Sequence, residues 1–187
     1  MAKEEQHWVA AARGGNRSAF RPLVEAHARA LFGLCMRITR DVTMAEDAVQ
    51  EAFFNAYRHL ADFDGRASFK TWLHRIAVNS ALEQLRRHGK HAAGAMEQSD
   101  DSEDFLDSFA DEAPTPDRHV RAAELGRHIE CQLERMTTIE RTAFIMRHQQ
   151  GESLEAIAQT LSLNISASKQ AIFRAVRKLR GALEPLR

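Results

Sequence analysis

The sequence predicts an all-α protein of two small helical domains, residues 1–90 and 118–187, joined by a flexible acidic linker at 91–117. Apolar residues recur at helical i, i+3, i+4 and i+7 spacing, and no stretch shows the period-two alternation of a strand. Charge is also segregated. The first domain holds 14 Lys and Arg against 10 Asp and Glu, the linker none against nine, and the second domain 12 against seven. The zero formal net charge therefore conceals two basic domains and an acidic strap.

Four helices are expected in the first domain, at residues 3–13, 18–40, 43–60 and 68–87. Each of the last three begins at a residue whose side chain suits the free amides of a helix N-terminus. Ser18 is expected to cap the second helix and Ser68 the fourth. Thr43 with Glu46 predicts a capping box at the start of the third.

The third helix presents two different faces. Its apolar side follows the helical rule without a break and comprises Ala45, Ala48, Val49, Ala52, Phe53, Ala56, Tyr57 and Leu60. The opposite side comprises Asp47, Gln50, Glu51 and Phe54. A large aromatic among acids on a solvated face is typical of a protein–protein hot spot. The alternative is a lone exposed apolar residue, which is common on protein surfaces.

The fourth helix and the loop before it favour nucleic acid. The buried side of the helix is predicted to comprise Phe69, Leu73, Ile76, Ala77 and Ser80. Arg75, Asn79 and Arg86 lie on a neighbouring face, Trp72 lies at the seam, and the preceding flexible loop carries Phe63. Phosphates attract the cations, and unstacked bases suit aromatic rings and an amide. The alternative is an ordinary amphipathic helix with a basic outer face.

The second domain shows a helix-turn-helix pattern. Thr115-Pro116 opens a helix that runs to about residue 135, and Thr137 with Glu140 predicts a capping box for the next. Ser153 then caps a short helix, and Asn164 caps a long basic one. In this last helix the residues expected to face inward are Ile172, Ala175, Val176 and Leu179. Those expected to face outward are Lys169, Gln170, Phe173, Arg174 and Arg177.

Several function classes are disfavoured. Cys35 and Cys131 each lie in a helical pattern and are expected to be buried thiols in a reducing compartment. His128 with Cys131 has no second pair of metal-ligand spacing, so neither a metal site nor a cofactor is expected. No apolar run resembles a signal peptide or membrane span, which predicts a cytoplasmic protein without membrane insertion. No nucleophile–base pair or phosphate loop is found, so an enzyme is not expected.

Two separated stretches resemble one family. Ala-Glu-Asp-Ala-Val-Gln-Glu-Ala-Phe at 45–53 and Phe-Lys-Thr-Trp-Leu-His-Arg-Ile-Ala-Val-Asn at 69–79 resemble region 2 of extracytoplasmic-function (group 4) sigma factors of the sigma-70 family. Residues 138–141, 157–158 and 172–175 resemble their region 4. The order, the linker and the total length match as well, so the resemblance covers nearly the whole chain.

The resemblance implies a promoter-specificity subunit that binds core RNA polymerase, directs initiation at −10 and −35 elements and is held inactive by an anti-sigma factor. It implies contacts with the β′ clamp helices, through Asp47, Gln50, Glu51 and Phe54, and with the β flap. It assigns −10 melting and reading to the loop around Phe63 and to Trp72, Arg75 and Asn79, and Lys70 and Arg86 of the same helix are also expected to bind DNA. It assigns −35 binding to the last helix, where Lys169, Arg174 and Arg177 would meet phosphates or guanine edges. Gln170 and Phe173 on the same face are also expected to bind DNA. The acidic linker is expected to thread past the polymerase active site.

The chain departs from the family pattern at the start of the last helix. The family usually shows Gly-Thr-Val, a basic residue and a later Arg, where this chain has Ser-Ala-Ser-Lys at 166–169 and Ala171. Ala156 also replaces a usual Glu. Weak or unusual −35 binding is therefore expected. Two alternatives stay open: a sigma-like mimic that sequesters an anti-sigma factor, and a plain helix-turn-helix regulator.

Overall fold

The computed structural model describes residues 2–92, 132–133 and 135–183, and the regular elements within these ranges are all helical. The chain divides into two compact units, Met1–Ala95 and Met96–Arg187. The all-α fold with two helical units is thereby confirmed. The described ranges hold no helix that is both long enough and apolar enough to span a membrane.

Residues 2–92 of the N-terminal unit form four α-helices and two short 3-10 turns. The helices are α1 (Ala2–Arg13), α2 (Phe20–Thr39), α3 (Val42–Arg58) and α4 (Phe69–Ala92). The turns are Arg17–Ala19, before α2, and Leu60–Asp62, after α3. Because α4 continues to Ala92, it extends two residues into the predicted linker.

Small side chains allow α3 to pack closely in this unit. The fully buried residues of α3 are Ala45, Ala48, Ala52 and Ala56. The larger buried side chains come from its neighbours, such as Leu31 and Ile38 on α2 and Leu73 on α4. This pattern confirms the predicted apolar side of α3, except that Val49 is half-buried and Tyr57 is exposed and packs edge-on against Phe20.

Cys35 is buried in the same core, as predicted. Its thiol contacts the carbonyl oxygen of Ala77 on α4 at 3.8 Å. Burial raises the pKa of this thiol to about 12, an effect only partly offset by the nearby Arg37 cation. The side chain therefore behaves as a small buried hydrophobe. Cys131 and His128 lie outside the described residues.

Two of the predicted helix caps in this unit are wrong. Asp41, not Thr43, caps α3, and its carboxylate accepts the backbone N–H of Met44 at 2.7 Å. Arg40 ends α2 in the left-handed conformation (φ 59°), and Asp41 then takes the extended backbone that a cap requires. Thr43 consequently lies inside the helix, without the predicted capping box.

The other wrong cap lies before α2. Asn16 accepts the backbone N–H of Ser18 at 3.1 Å, so Ser18 belongs to the 3-10 turn and α2 begins at Phe20. The cap of α4 is confirmed, because the Ser68 hydroxyl accepts the N–H of Thr71 at 3.1 Å.

The C-terminal unit contains α5 (Thr138–Phe144), a single π-helical turn (Ile145–Gln149), α6 (Leu154–Leu161) and α7 (Ile165–Leu183). The three predicted caps that fall on described residues are confirmed. Thr137 and Glu140 form the reciprocal capping box, Ser153 accepts the N–H of Ala156 at 3.1 Å, and Asn164 accepts that of Ala167 at 2.7 Å.

A small core joins α7 to α5. Leu133 and Met136 pack with Ala175 and Leu179, and the partly buried Phe144 covers them. The inward face of α7 is rotated slightly from the prediction. Ser168 and Ala171 are fully buried, whereas the predicted Ile172 and Val176 are only half-buried. Residues 93–131, which include most of the helix expected to begin at Thr115-Pro116, lie outside the described residues, and Gln132 and Leu133 near its expected end are helical.

Candidate polymerase and nucleic-acid interfaces

The outer side of α3 carries the first candidate interface. Asp47, Gln50 and Phe54 are exposed, and Phe54 retains 59 % of its accessible surface. The guanidinium carbon of Arg58, one turn further on, lies 5.5 Å from the centre of the Phe54 ring. We call these four residues the docking face. It combines an aromatic side chain that a partner could bury with acid, amide and cation at its rim.

Glu51 is placed differently from the three residues with which it was grouped. It is half-buried, and its carboxylate accepts hydrogen bonds from Gln84 at 3.2 Å and from Arg87 at 3.4 Å, both on α4. Glu51 therefore ties α3 to α4 at the edge of the docking face. Because these contacts engage both carboxylate oxygens, Glu51 has less hydrogen-bonding capacity left for a partner.

The second candidate interface is the −10 face, defined here as Lys70, Trp72, Arg75 and Asn79 on α4. Lys70, Arg75 and Asn79 are exposed, and Trp72 is half-buried. Arg75 and Asn79 lie one helical turn apart, so their side chains project from the same side of α4. Arg86 is exposed two turns beyond Asn79 and pairs with Glu83 at 3.5 Å.

An aromatic cluster supports one end of the −10 face. The ring of Phe63 packs against Trp72 and Phe69, with centroids 5.1 Å and 6.0 Å away, and Phe69 lies 5.8 Å from Trp72. Phe63 is only 8 % exposed. The sequence placed Phe63 in a flexible loop and did not anticipate this burial. In the structure the ring serves to hold Trp72.

The loop that follows Phe63 makes a compact turn. Gly65 adopts φ +74°, a conformation that glycine takes at little cost, and Arg66 pairs with Asp64 at 3.2 Å across it. The chain then enters α4 at Ser68. Because this loop packs its aromatic residue inward, the exposed groups that remain for a ligand are largely polar.

The inner side of α4 near Lys70 is electropositive. Burial, and after it the nearby Lys70, His27 and Arg37 in that order, together lower the pKa of His74 to about 4. The buried Nε2 atom of His74 has no hydrogen-bond partner in the structure. His74 is therefore neutral at physiological pH and adds no charge to the −10 face.

The third candidate interface is the outer side of α7. The −35 face, as we name it, comprises Lys169, Gln170, Phe173, Arg174 and Arg177, all of which are exposed. Phe173 keeps 67 % of its surface. Two of the positions at which this chain departs from the family pattern, Ser168 and Ala171, are buried beneath this face. The Ser168 hydroxyl donates to the carbonyl oxygen of Asn164 at 3.0 Å.

Comparison with known families decides the identity. The model for Sigma-70 region 2 matches residues 23–91, and the model for Sigma-70, region 4 matches residues 127–179. The RNA polymerase sigma-H factor of Pseudomonas aeruginosa is 31 % identical over 185 residues, which cover 98 % of this chain and 96 % of that factor. The chain belongs to the extracytoplasmic-function sigma factors of the sigma-70 family.

Other relatives agree with this assignment. The extracytoplasmic-function sigma-E factor of Haemophilus influenzae is 30 % identical, and the match covers 97 % of this chain and 96 % of the relative. Among solved structures, the complex of sigma factor RpoE with the anti-sigma factor NepR from Bartonella quintana contains a chain of the same fold. The TM-score is 0.62, the identity 20 %, and the coverage 88 % of this chain and 96 % of that chain.

As a sigma factor the protein is a promoter-specificity subunit that binds core RNA polymerase and directs transcription initiation. The docking and −10 faces fall inside the region 2 match, and the −35 face falls inside the region 4 match. A plain helix-turn-helix regulator would leave the region 2 match without an explanation. That alternative is therefore set aside.

Sequence reasoning missed the contacts that tie these faces to the rest of the sigma factor. Glu51 was expected on a partner surface, yet it binds residues 33 and 36 positions away on α4. Glu140 was expected as a helix cap, yet it also pairs with two cations of α7. Periodicity identifies the faces of one helix and carries no information about which distant side chain meets them. Within the described ranges, no cluster of His, Cys, Asp and Glu could hold a metal ion.

Proposed function

We propose that the sigma factor divides promoter recognition among three surfaces. The docking face on α3 binds the β′ clamp helices of core polymerase, the −10 face on α4 reads single-stranded −10 DNA, and the −35 face on α7 reads duplex −35 DNA. The observation that carries this proposal is Phe54. It is a well-exposed aromatic residue one turn after Gln50 and one turn before Arg58, on the side of α3 opposite the buried alanines.

The docking face is suited to a protein partner rather than to DNA. Its one acid, Asp47, and its one cation, Arg58, balance each other, so the face carries no net positive charge that would attract phosphates. Burying an aromatic anchor inside a polar rim is how most protein interfaces obtain their affinity. Glu51 would then hold this face in place through Gln84 and Arg87 rather than supply a main contact.

The −10 face is suited to unstacked bases. Asn79 has an amide that can make two hydrogen bonds with one base edge, and Lys70 and Arg75 supply cations for the neighbouring phosphates. Trp72 offers an aromatic ring at the edge of the face, held from below by Phe63 and Phe69. Stacking on such a ring offsets part of the cost of extracting a base from the duplex.

The −35 face is suited to the major groove. The short α6, the turn after Ser162 and the long α7 have the arrangement in which a second helix enters the groove. Lys169 and Gln170 lie in the first half of α7, where recognition helices contact base edges, and Arg177 lies one helical turn beyond Phe173. The region 4 unit is also expected to contact the β flap, as the family resemblance implies.

The remaining parts of the proposal concern regulation and setting. The sigma factor RpoE of Bartonella quintana is held in a complex with the anti-sigma factor NepR, and its chain shares this fold. By analogy, this sigma factor is held inactive by an anti-sigma factor. It performs no chemistry of its own, because core polymerase supplies the catalytic site, and it acts in the cytoplasm, where core polymerase and the promoters are located.

The test changes one residue of the −10 face and leaves the docking and −35 faces intact. Asn79→Ala should keep core binding and duplex promoter binding but lose open complexes and relax base preference at one −10 position. The expected loss of discrimination is about 1–3 kcal/mol, the size of one bidentate contact. Permanganate footprinting of a promoter that the reconstituted holoenzyme selects measures melting, and competition between −10 variants measures preference.

Lys70→Ala is the matched control. It removes an exposed cation from the same face and should weaken binding to all −10 sequences alike while reducing the salt slope by about one. Normal melting together with unchanged base preference in Asn79→Ala would overturn the assignment of the −10 face. Phe63→Ala is not a clean probe, because truncating a buried aromatic residue costs about 3–5 kcal/mol of folding free energy.

A further inference from the structure

One buried carboxylate in the C-terminal unit meets two cations of α7. The Glu140 side chain, on α5, is only 6 % exposed. Its Oε2 atom accepts hydrogen bonds from Lys178 Nζ at 2.6 Å and from the backbone N–H of Thr137 at 3.1 Å. Its Oε1 atom lies 3.2 Å from Nε of Arg174, and Lys178 also donates to the carbonyl oxygen of Arg135 at 3.5 Å.

Lys178 and Arg174 differ in how many hydrogen-bond donors each has left for another ligand. Lys178 has one ammonium group, and this group already donates to a carboxylate and to a carbonyl oxygen. Arg174 meets Glu140 through Nε, and 52 % of its side chain is still exposed on the −35 face. A guanidinium carries five N–H donors in a planar fork, so Arg174 can hold Glu140 and still bind a second anion or a base edge.

The Glu140 side chain is a negatively charged carboxylate at neutral pH. Burial alone raises the pKa of the carboxyl, but the hydrogen bonds from Lys178 and Thr137 bring that pKa below its ordinary value. A buried ion pair of this kind is weak evidence for stability, because removing the charges from water offsets much of the attraction. The same pair also restricts the orientation of the Arg174 guanidinium.

We propose that Glu140 is a positioning residue for the −35 face, acting through Arg174 and not by touching DNA. The proposal rests on the assignment of the −35 face made above. A long arginine side chain normally loses rotamer freedom when it binds, and this loss reduces affinity. Glu140 orders the guanidinium before DNA arrives, while Lys178 anchors the same carboxylate to α7 one turn further on. Arg174 then presents one defined geometry to a base pair.

The experiment uses holoenzyme reconstituted from core polymerase and the full chain. Its probe is a pool of duplex promoters with a fixed −10 segment and a randomised −35 window, sequenced after binding. The wild-type holoenzyme should enrich a −35 sequence. Glu140→Gln should reduce preference at the position that Arg174 reads by about tenfold, the discrimination that one oriented contact provides. Glu155→Gln removes one exposed negative charge that interacts with Lys169 but is not paired with Arg174, so it should leave the preference at the position that Arg174 reads unchanged.

A double-mutant cycle separates positioning from a merely structural role. Arg174→Ala should lose preference at the same position, and Glu140→Gln combined with Arg174→Ala should lose no more than Arg174→Ala alone. Additive losses, or a wild-type preference in Glu140→Gln, would overturn the proposal.

If thermal unfolding shows that Glu140→Gln does not fold, Glu140→Asp is used instead, because it keeps the negative charge and shortens the reach of the side chain. Glu140→Asp should lose part of the preference at that position. An unchanged preference in Glu140→Asp would then overturn the proposal, and a wild-type holoenzyme that enriches no −35 sequence would overturn the −35 face as well.

Discussion

Phe54→Ala should weaken binding of the sigma factor to core polymerase without weakening the fold. An aromatic side chain offers roughly 150–250 Å² of surface. With 59 % of Phe54 exposed, roughly 90–150 Å² is left for a partner to bury, worth at most about 2–4 kcal/mol at about 25 cal/mol per Å². Arg58 already covers part of the ring. The expected loss is therefore about 2 kcal/mol, or roughly thirtyfold in Kd.

The assay is equilibrium binding of fluorescently labelled sigma factor to purified core polymerase, with thermal unfolding measured on the same samples. Phe173→Ala is the matched control, since it removes an aromatic side chain of similar exposure from the −35 face. It should leave core affinity unchanged. Phe54→Ala with wild-type core affinity, or an equal loss in both variants, would refute the docking face. A lowered melting temperature in Phe54→Ala would show that Phe54 contributes to the core after all.

Three other outcomes are expected. Deleting residues 97–112, which hold eight acids and no Lys or Arg, should raise the non-specific DNA affinity of the free chain and steepen its salt dependence. If gel-shift titrations give the full-length and shortened chains equal affinities and salt slopes, the linker only connects the two domains. His74 is neutral when folded but protonates near 6.5 when unfolded, so stability should fall as pH drops from 6.5 to about 4. The loss is at most about 3 kcal/mol, and chemical denaturation should show that it is absent from His74→Gln. Ala171→Arg, which restores the family's usual residue, should destabilise the C-terminal unit by about 1–3 kcal/mol, because the site is fully buried; tighter −35 binding at unchanged stability would contradict this.

Features set by local periodicity were predictable from the sequence. The exposed position of Phe54 follows from its place opposite four alanines on one helix, and the structure confirms that exposure. Caps were predictable where one candidate stood alone, as at Ser68 and Ser153. Where two candidates stood close together, as at Asp41 and Thr43, the choice depended on how the preceding helix ended. The left-handed Arg40 decided it in favour of Asp41.

Features set by distant contacts were not predictable. Phe63 lies in a glycine-containing loop, which predicts exposure, but two aromatic residues of α4 bury it. Glu140 was identified as a cap because its partner is three residues away. Its contact with Lys178, 38 residues away, depends on how α7 packs against α5. The sequence of a helix determines directly which residues share each of its faces. Which faces of different helices meet depends on how the helices pack in the folded core.

Run-off transcription with purified core polymerase on a pool of genomic fragments tests the sigma-factor assignment most directly. Core polymerase with this chain should start transcripts at discrete sites that share a −10 and a −35 sequence, and core polymerase alone should not. Phe54→Ala should lose those transcripts at limiting concentration and regain them when the variant is in excess. A chain that binds core polymerase tightly yet starts no transcript on any fragment would contradict its role as a promoter-specificity subunit.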